Sequence, residues 1–437
     1  MRVLFYVEPL VERENPTWKK SWIDYFVKEI SRALIHEGIH ENDMACIAPS
    51  ALGGIARSIL PNSRVVSIDQ TELIPRFGSS ALAVASRWYL NQADSATLTN
   101  MADLVCERLG NFIPTVCLTF SPAPFLKRAW PQVKVLHMEC GFISRPPFPE
   151  TMYFDPRGMF AESVLAKYKD DLEAWCPPAE STALLTDLRK KFQASKDIAD
   201  NPVAKIVRSA VASFESAVLL ALQFSNFYAY DANARFADQY DLLVHVLDSL
   251  PKNIAVVVCE HPEHPVLKHE TVEYLSSRYP NFIWHPLFRQ VYGVSHYLMP
   301  FVQGVVTVSS SVGLQALLWE KHLAVVGEGH LAAIADTQDL KAFPQFLNMA
   351  WGEGRDRLLC WLLSNQHLPF RYLLSSGRLS KYLQSLDDGI PEAIEAARSN
   401  AGLKLDEIRA VYDLAWVERS VTPYGTAFST DQIGRAH

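Results

Sequence analysis

Between Ile254 and Gly329 the chain sets down three apolar runs in quick succession, two of them ending in loops rich in chemistry. IAVVVCE (Ile254–Glu260) stops at His261-Pro262-Glu263-His264-Pro265, and FIWHP (Phe282–Pro286) follows. VVTVSSSVGLQALLWE (Val305–Glu320) then runs through three serines and a glycine into a helical pattern. Continuous apolar runs of this length suit strands of a parallel sheet covered on both faces. Such sheets take ligands at the carboxyl ends of their strands. His261 and Ser309–Ser311 are therefore expected on one rim of one sheet.

The same pattern extends in both directions. Arg2–Val7, Ala45–Ala48, Arg64–Ile68, Thr115–Phe120 and Lys134–Glu139 are short apolar runs, separated by helical spacing at Trp18–His36, Ser80–Leu90 and Met101–Leu109. A second series starts at Ala217–Phe224, continues through the runs above and ends at Leu323–Val326, with a helix over Ala237–Ser249. Strand and helix in alternation predict an α/β fold, here two Rossmann-like domains facing a cleft. Between the series, GFISRPPFPETMYFDPRG reads as ordered loop rather than helix or strand, and Ala161–Ala194 returns to helical spacing. The boundary is placed near Pro202–Glu215. That gives an N-terminal domain over 1–205, a second over 206–396, a helix over 397–420 that could cross back onto the first, and a tail over 421–437. The last residues, QIGRAH, read either as a short exposed tail or as a translated sequencing adapter, in which case the natural chain continues.

Composition narrows the function classes. With 437 residues, 49% hydrophobic and 20% charged, the chain fits a soluble globular protein with large cores. A formal net charge of −7 and the lack of a basic run argue against nucleic acid as a partner. Seven widely spaced cysteines without a C-x-x-C pair suggest neither a zinc ribbon nor a disulfide framework, so a cytoplasmic location is the expectation. MRVLFYVEP is too short for a signal peptide, and no apolar stretch is long enough to cross a bilayer.

Four groups of residues carry candidate chemistry, each with a plainer explanation beside it. A helix opening after Ser309, Ser310 and Ser311 could offer amides and hydroxyls to a phosphate, with Gly313 letting the backbone approach. A serine N-cap without ligand explains the same residues. His261 could donate to a phosphate or protonate a leaving group, or simply be a satisfied turn histidine. It resembles a metal site with Glu263, His264 and His269, but the two prolines break the helix such a site would need, so no metal is expected. Asp231, in NFYAYDANARF, is a candidate nucleophile or base and equally a turn cap. Glu139, Arg145, Asp155 and Arg157 lie among aromatic residues. The two arginines could clamp a carboxylate or phosphate, or form loop ion pairs.

Taken in order, HMECGF…FDPRG, LQFSNFYAYD…FADQ…SLP…CEHP and TVSSSVGLQALL…VVGEG resemble the capsule-polysaccharide-synthesis family of β-Kdo glycosyltransferases. Within it the likeness is strongest to the retaining Kdo transferase module of the WbbB type, and it covers roughly Val3–Phe343. The family's usual basic residue before Glu-His-Pro is Cys259 here. The resemblance implies a GT-B-like glycosyltransferase with an acceptor-side first domain and a second domain that binds the donor CMP-Kdo, and neither cofactor nor metal. It further implies that His261 and Ser309–Ser311, with Gly313, hold the CMP phosphate and that Asp231 is the nucleophile. Glu139, Asp155 and His261 are the acid–base candidates, and Arg145 and Arg157 are placed, from their charge, on the sugar carboxylate. The acceptor would be a glycan or lipid-linked glycan of O-antigen or capsule synthesis. Further glycosyltransferase domains and peripheral association with the inner face of the inner membrane are the implied partners. Two other readings are a GT-B-like enzyme on another nucleotide sugar and a non-catalytic sugar-binding module.

Overall fold

Apolar runs become strands here because both faces of each sheet are covered. Val3–Tyr6 (β1), Met44–Pro49 (β2), Arg64–Ile68 (β3), Val116–Thr119 (β4), Lys134–Cys140 (β5), Thr151–Asp155 (β6) and Leu368–Pro369 (β12) form one sheet, ordered β12-β6-β5-β4-β1-β2-β3. Ser216–Ala221 (β7), Ile254–Cys259 (β8), Phe282–Ile283 (β9), Gly304–Thr307 (β10) and His322–Val325 (β11) form the other, ordered β11-β10-β7-β8-β9 and parallel throughout. The computed structural model describes the chain except residues 12–15, 79, 144–148, 195–200, 226, 262–264, 292, 376 and 422–437, and the side chains of 194 and 414–421. Arg145, Glu263, His264 and the terminal QIGRAH lie outside the described residues.

Both sheets share one winding, in which the first strand of each series ends up beside the fourth. The order reverses between β1 and β4 in one sheet and between β7 and β10 in the other. Those are the places where the loops at the carboxyl ends part to leave a crevice. The two Rossmann-like sheets expected from the sequence are thus present, with strands β1, β2, β4, β7, β8, β10 and β11 buried along their whole length.

Three local expectations need correction. The proline-rich stretch contains a strand: β6 pairs antiparallel with β5, Glu139 opposite Tyr153 and His137 opposite Asp155. Its prolines flank TMYFD rather than interrupt it, so the ladder is intact. The chain also returns to the first sheet before residue 397, since Leu368 and Pro369 pair with Met152 and Thr151. Finally, the helix expected over 397–420 is not continuous. Pro391–Asn400 ends near Gly402, whose φ of 71° an L side chain would resist, and Leu405–Val421 starts afresh.

The helices over 164–194 and 353–413 form a layer that ties the sheets together. Arg189 shows how: it pairs with Asp356 at 2.7 Å and Glu320 at 3.1 Å, and it donates to the carbonyls of Leu317 and Leu318. A cation there meets the negative end of the helix Val312–Leu318. Among the described residues no helix is long and apolar enough to cross a membrane.

Candidate active site

Because β7, β8, β10 and β11 are parallel, the loops that follow them open on one rim. Asp231 lies in the loop after β7, His261 after β8, Ser309–Ser311 after β10 and His330 after β11. The sequence reading placed His261 and the serines on one rim, and the topology does so and adds Asp231. His330 went unnoticed. Burial pushes its imidazole down to about 4, so it stays neutral near pH 7.

At the crevice between β7 and β10 sits Gln223, two residues past β7. Its Oε1 accepts the Ser309 amide at 3.0 Å, and its Nε2 donates to Ser309 Oγ at 3.1 Å. An oxygen must face the amide, so the amide group of Gln223 has one possible orientation. Ser309 Oγ is therefore an acceptor toward Gln223, and its own proton is left to point elsewhere. Gln223 is held in turn by its backbone amide, which donates to the buried Gln239 side chain at 2.7 Å.

The serine turn differs from the expected phosphate cradle. The Ser310 amide donates to Thr307 Oγ1, the Val312 amide to Ser310 Oγ and the Gly313 amide to the Ser310 carbonyl. Ser311 is exposed at the start of the helix, and the hydroxyls of Ser309 and Ser310 each accept one hydrogen bond while keeping a proton to donate. Gly313 serves packing instead of ligand approach: a Cβ there would meet Leu331 Cδ1 at 2.8 Å. Protein side chains already fill the space a Cβ would take.

His261 is partly exposed, with its ring 6.3 Å from that of Phe224 at 30°. Its loop is fixed by Glu260, whose side chain is fully buried. Glu260 accepts from the amides of Val266 and Leu267 at 2.6 and 2.7 Å, from Trp284 Nε1 at 3.0 Å and from Arg289 Nε at 2.6 Å. Both ends of the His261 loop thus hang on one carboxylate. Sequence reasoning missed Gln223, Glu260 and Arg289, whose partners lie far off in the chain.

Asp231 closes a single helical turn, Tyr228–Asp231, and is partly exposed. From the second sheet this turn is held by the Ala234–Gly327 bridge and by the Glu328 amide, which donates to the Asn233 carbonyl. Asp238, the other carboxylate of this stretch, caps the helix Gln239–Ser249 by accepting the Asp241 amide at 2.9 Å. Asp231 lies instead at the end of its own short turn, ahead of that helix.

On the first-sheet side, Glu139 is partly exposed near the carboxyl end of β5 and accepts the Cys140 amide at 2.9 Å. The loop after it touches the second sheet's serine helix, where Gln315 Nε2 donates to the Phe142 carbonyl at 3.1 Å. Asp155 has another job. It is 1% exposed and accepts from the amides of Arg157, Gly158 and Val164 and from Gln366 Nε2. Burial raises its carboxyl to about 6 despite those donors, and both oxygens are occupied in tying the 156–164 loop. It is built as a loop anchor, which corrects its candidacy as an acid–base group. Arg157 is exposed, stacks over Tyr168 at 5.4 Å and packs its backbone against Gly389, well engaged without a sugar. Among the described residues no cluster of His, Cys, Asp or Glu is suited to hold a metal ion.

The model of the capsule polysaccharide biosynthesis protein family matches residues 180–348. No curated protein matches the chain. Among solved structures, KpsC of Thermosulfurimonas dismutans, a beta Kdo 2,7 transferase, is similar at 14% identity over 92% of this chain and 99% of that one, with a TM-score of 0.37. The UDP-GlcNAc 2-epimerase of Methanocaldococcus jannaschii gives 13% identity over 82% and 98%, with a TM-score of 0.32. Anabaena Alr3699/HepE, in complex with UDP and glucose, gives 10% over 96% and 100%, with a TM-score of 0.31. Scores at this level assign no residue. Residues 180–348, which carry β7 to β11 and every second-sheet rim group named above, match the capsule polysaccharide biosynthesis proteins, the family to which the sequence motifs pointed.

Proposed function

We propose that the protein is a glycosyltransferase of capsule-polysaccharide-synthesis type that moves Kdo from CMP-β-Kdo to a glycan acceptor with retention. The observation that carries this reading is the convergence of Asp231, His261 and Ser309–Ser311 on the rim of a parallel sheet, at its topological switch point. The motif resemblance in the same residues supplies the donor. The acceptor is a bacterial surface glycan, and the work is placed at the cytoplasmic face of the inner membrane.

Retention follows from two displacements. In the first, an Asp231 carboxylate oxygen attacks the anomeric carbon, the bond to the phosphate oxygen breaks, and CMP departs with the electron pair. His261, the Ser309 and Ser311 hydroxyls and the Ser311 amide meet the charge that develops on that phosphate. In the second, the acceptor hydroxyl gives its proton to Glu139 and attacks the same carbon from the other side, releasing Asp231. Each inversion undoes the other, and the product is β. Nothing in this sequence of steps calls for a metal.

His261→Ala is expected to weaken CMP binding by roughly 1.5–3 kcal/mol, the worth of one hydrogen bond to a charged group. Calorimetric titration of wild type and variant with CMP checks it, with UDP as comparison. Equal CMP affinity in both proteins would remove His261 from the phosphate. Preference for UDP would favour the reading of an enzyme on another nucleotide sugar.

A further inference from the structure

The turn that bears Asp231 belongs to the second sheet, yet much of what packs on it comes from the first. Phe227 meets Trp18 edge-on at 5.2 Å, and Tyr228 meets Tyr89 at 6.2 Å. Lys19, 0% exposed, has its ammonium 5.0 Å from the Trp18 ring and 5.4 Å from the Tyr228 ring. The same ammonium donates to the Leu10 carbonyl. The Leu10 amide in turn donates to Glu8, a buried carboxylate two residues past the central strand β1 that also accepts from Tyr6 OH. A continuous set of contacts thus runs from the crevice end of β1, through Glu8, Leu10 and Lys19, to Tyr228 and the turn ending at Asp231.

A buried ammonium is costly unless its charge is met, and here a carbonyl and two aromatic faces take part in meeting it. Those faces exist together only when the two sheets are closed on each other. Glu8 and Lys19 also explain why MRVLFYVEP and the following helix carry charges at positions that are otherwise core.

We infer that Lys19 and Trp18 are positioning residues for Asp231, so that closure of the first sheet onto the second sets the attacking carboxylate. The inference rests on the role of Asp231 proposed above. Spatial intermediacy alone does not show coupling, and the test therefore reads the Asp231 turn directly. In Lys19→Met, hydrogen exchange at the amides of Asp231 and Ala232 rises by about tenfold or more, while β7 stays protected. In the same variant kcat for CMP release from CMP-Kdo falls by roughly a hundredfold, as expected for a displaced reacting group, and CMP affinity is unchanged. Lys19→Arg keeps the cation and regains most of kcat. Trp18→Leu, at a partly exposed position, shows the same pattern more weakly and serves if Lys19→Met does not fold. Unchanged exchange in both variants overturns the inference whatever the donor. So does raised exchange with unaltered kcat, or a loss of CMP affinity in step with kcat. Wild-type protein that leaves CMP-Kdo intact, with the exchange effect present, refutes the proposed donor and the role built on it instead.

Discussion

Asp231→Ala is expected to lose sugar transfer by at least about 10⁴-fold, the scale on which removing a covalent nucleophile acts. CMP affinity should stay near that of the wild type, because the groups assigned to the phosphate lie on the β8 and β10 loops. Fold stability should change little as well. The carboxylate closes a turn that is already held by the Ala234–Gly327 bridge and by Trp18 and Tyr89 on its aromatic residues. The comparison with Asp238→Ala is informative. That change removes a helix cap and should cost about 1 kcal/mol of stability with transfer largely retained. Intact-protein mass spectrometry of wild type incubated with CMP-Kdo, without acceptor, should show an added Kdo mass that maps to Asp231. An alanine variant that still transfers with retention at near the wild-type rate would contradict the assignment.

Glu260→Ala should have the largest effect on stability. It strands Arg289 and two loop amides beside a fully buried position, and losing one member of such a buried pair costs about 3–5 kcal/mol. Chemical denaturation followed by tryptophan fluorescence checks this, since Trp284 itself donates to Glu260. Arg289 is partly exposed, so its charge can turn to solvent, which places the expected loss at the lower end of that range. The second consequence concerns binding. With residues 266 and 267 no longer tied, the loop bearing His261 loses both its anchors, and CMP affinity should fall at least as far as in His261→Ala. Replacing Glu260 and Arg289 together by methionine should recover part of the stability, since no uncompensated charge remains. It should not recover CMP binding. Recovery of both would mean that the loop is positioned by something other than the carboxylate.

These two residues show what a sequence can and cannot disclose. Most strands of the two sheets were legible because each is a continuous apolar run, and runs of that kind have few alternatives once helices alternate with them. The rim followed from that alone, since parallel strands fix which loops are neighbours. β6 was hidden by its prolines, which mark turns by default but here bracket a pleated segment. Gln223 was illegible for another reason: it acts through Ser309, 86 residues away, and no local pattern announces such a pair. The same holds for Lys19, whose burial depends on rings from both sheets. The serines were read correctly as a turn into a helix, but the amides of Ser309 and Ser310 turned out to be engaged with Gln223 and Thr307, and the Val312 amide with Ser310 Oγ. Spacing shows which groups could bind a phosphate, and only the bonding pattern shows which remain free to do so. Asp155 is the converse case. Its motif resemblance drew a catalytic assignment, whereas four donors and nearly complete burial make it an anchor.

The most direct measurement is to incubate the protein with CMP-β-Kdo and a surface-glycan acceptor, follow CMP release, and read the anomeric configuration of the product by NMR. The account predicts acceptor-stimulated CMP release and a β-linked Kdo product. An α-linked product, or CMP-Kdo left intact while another nucleotide sugar is consumed, would contradict it.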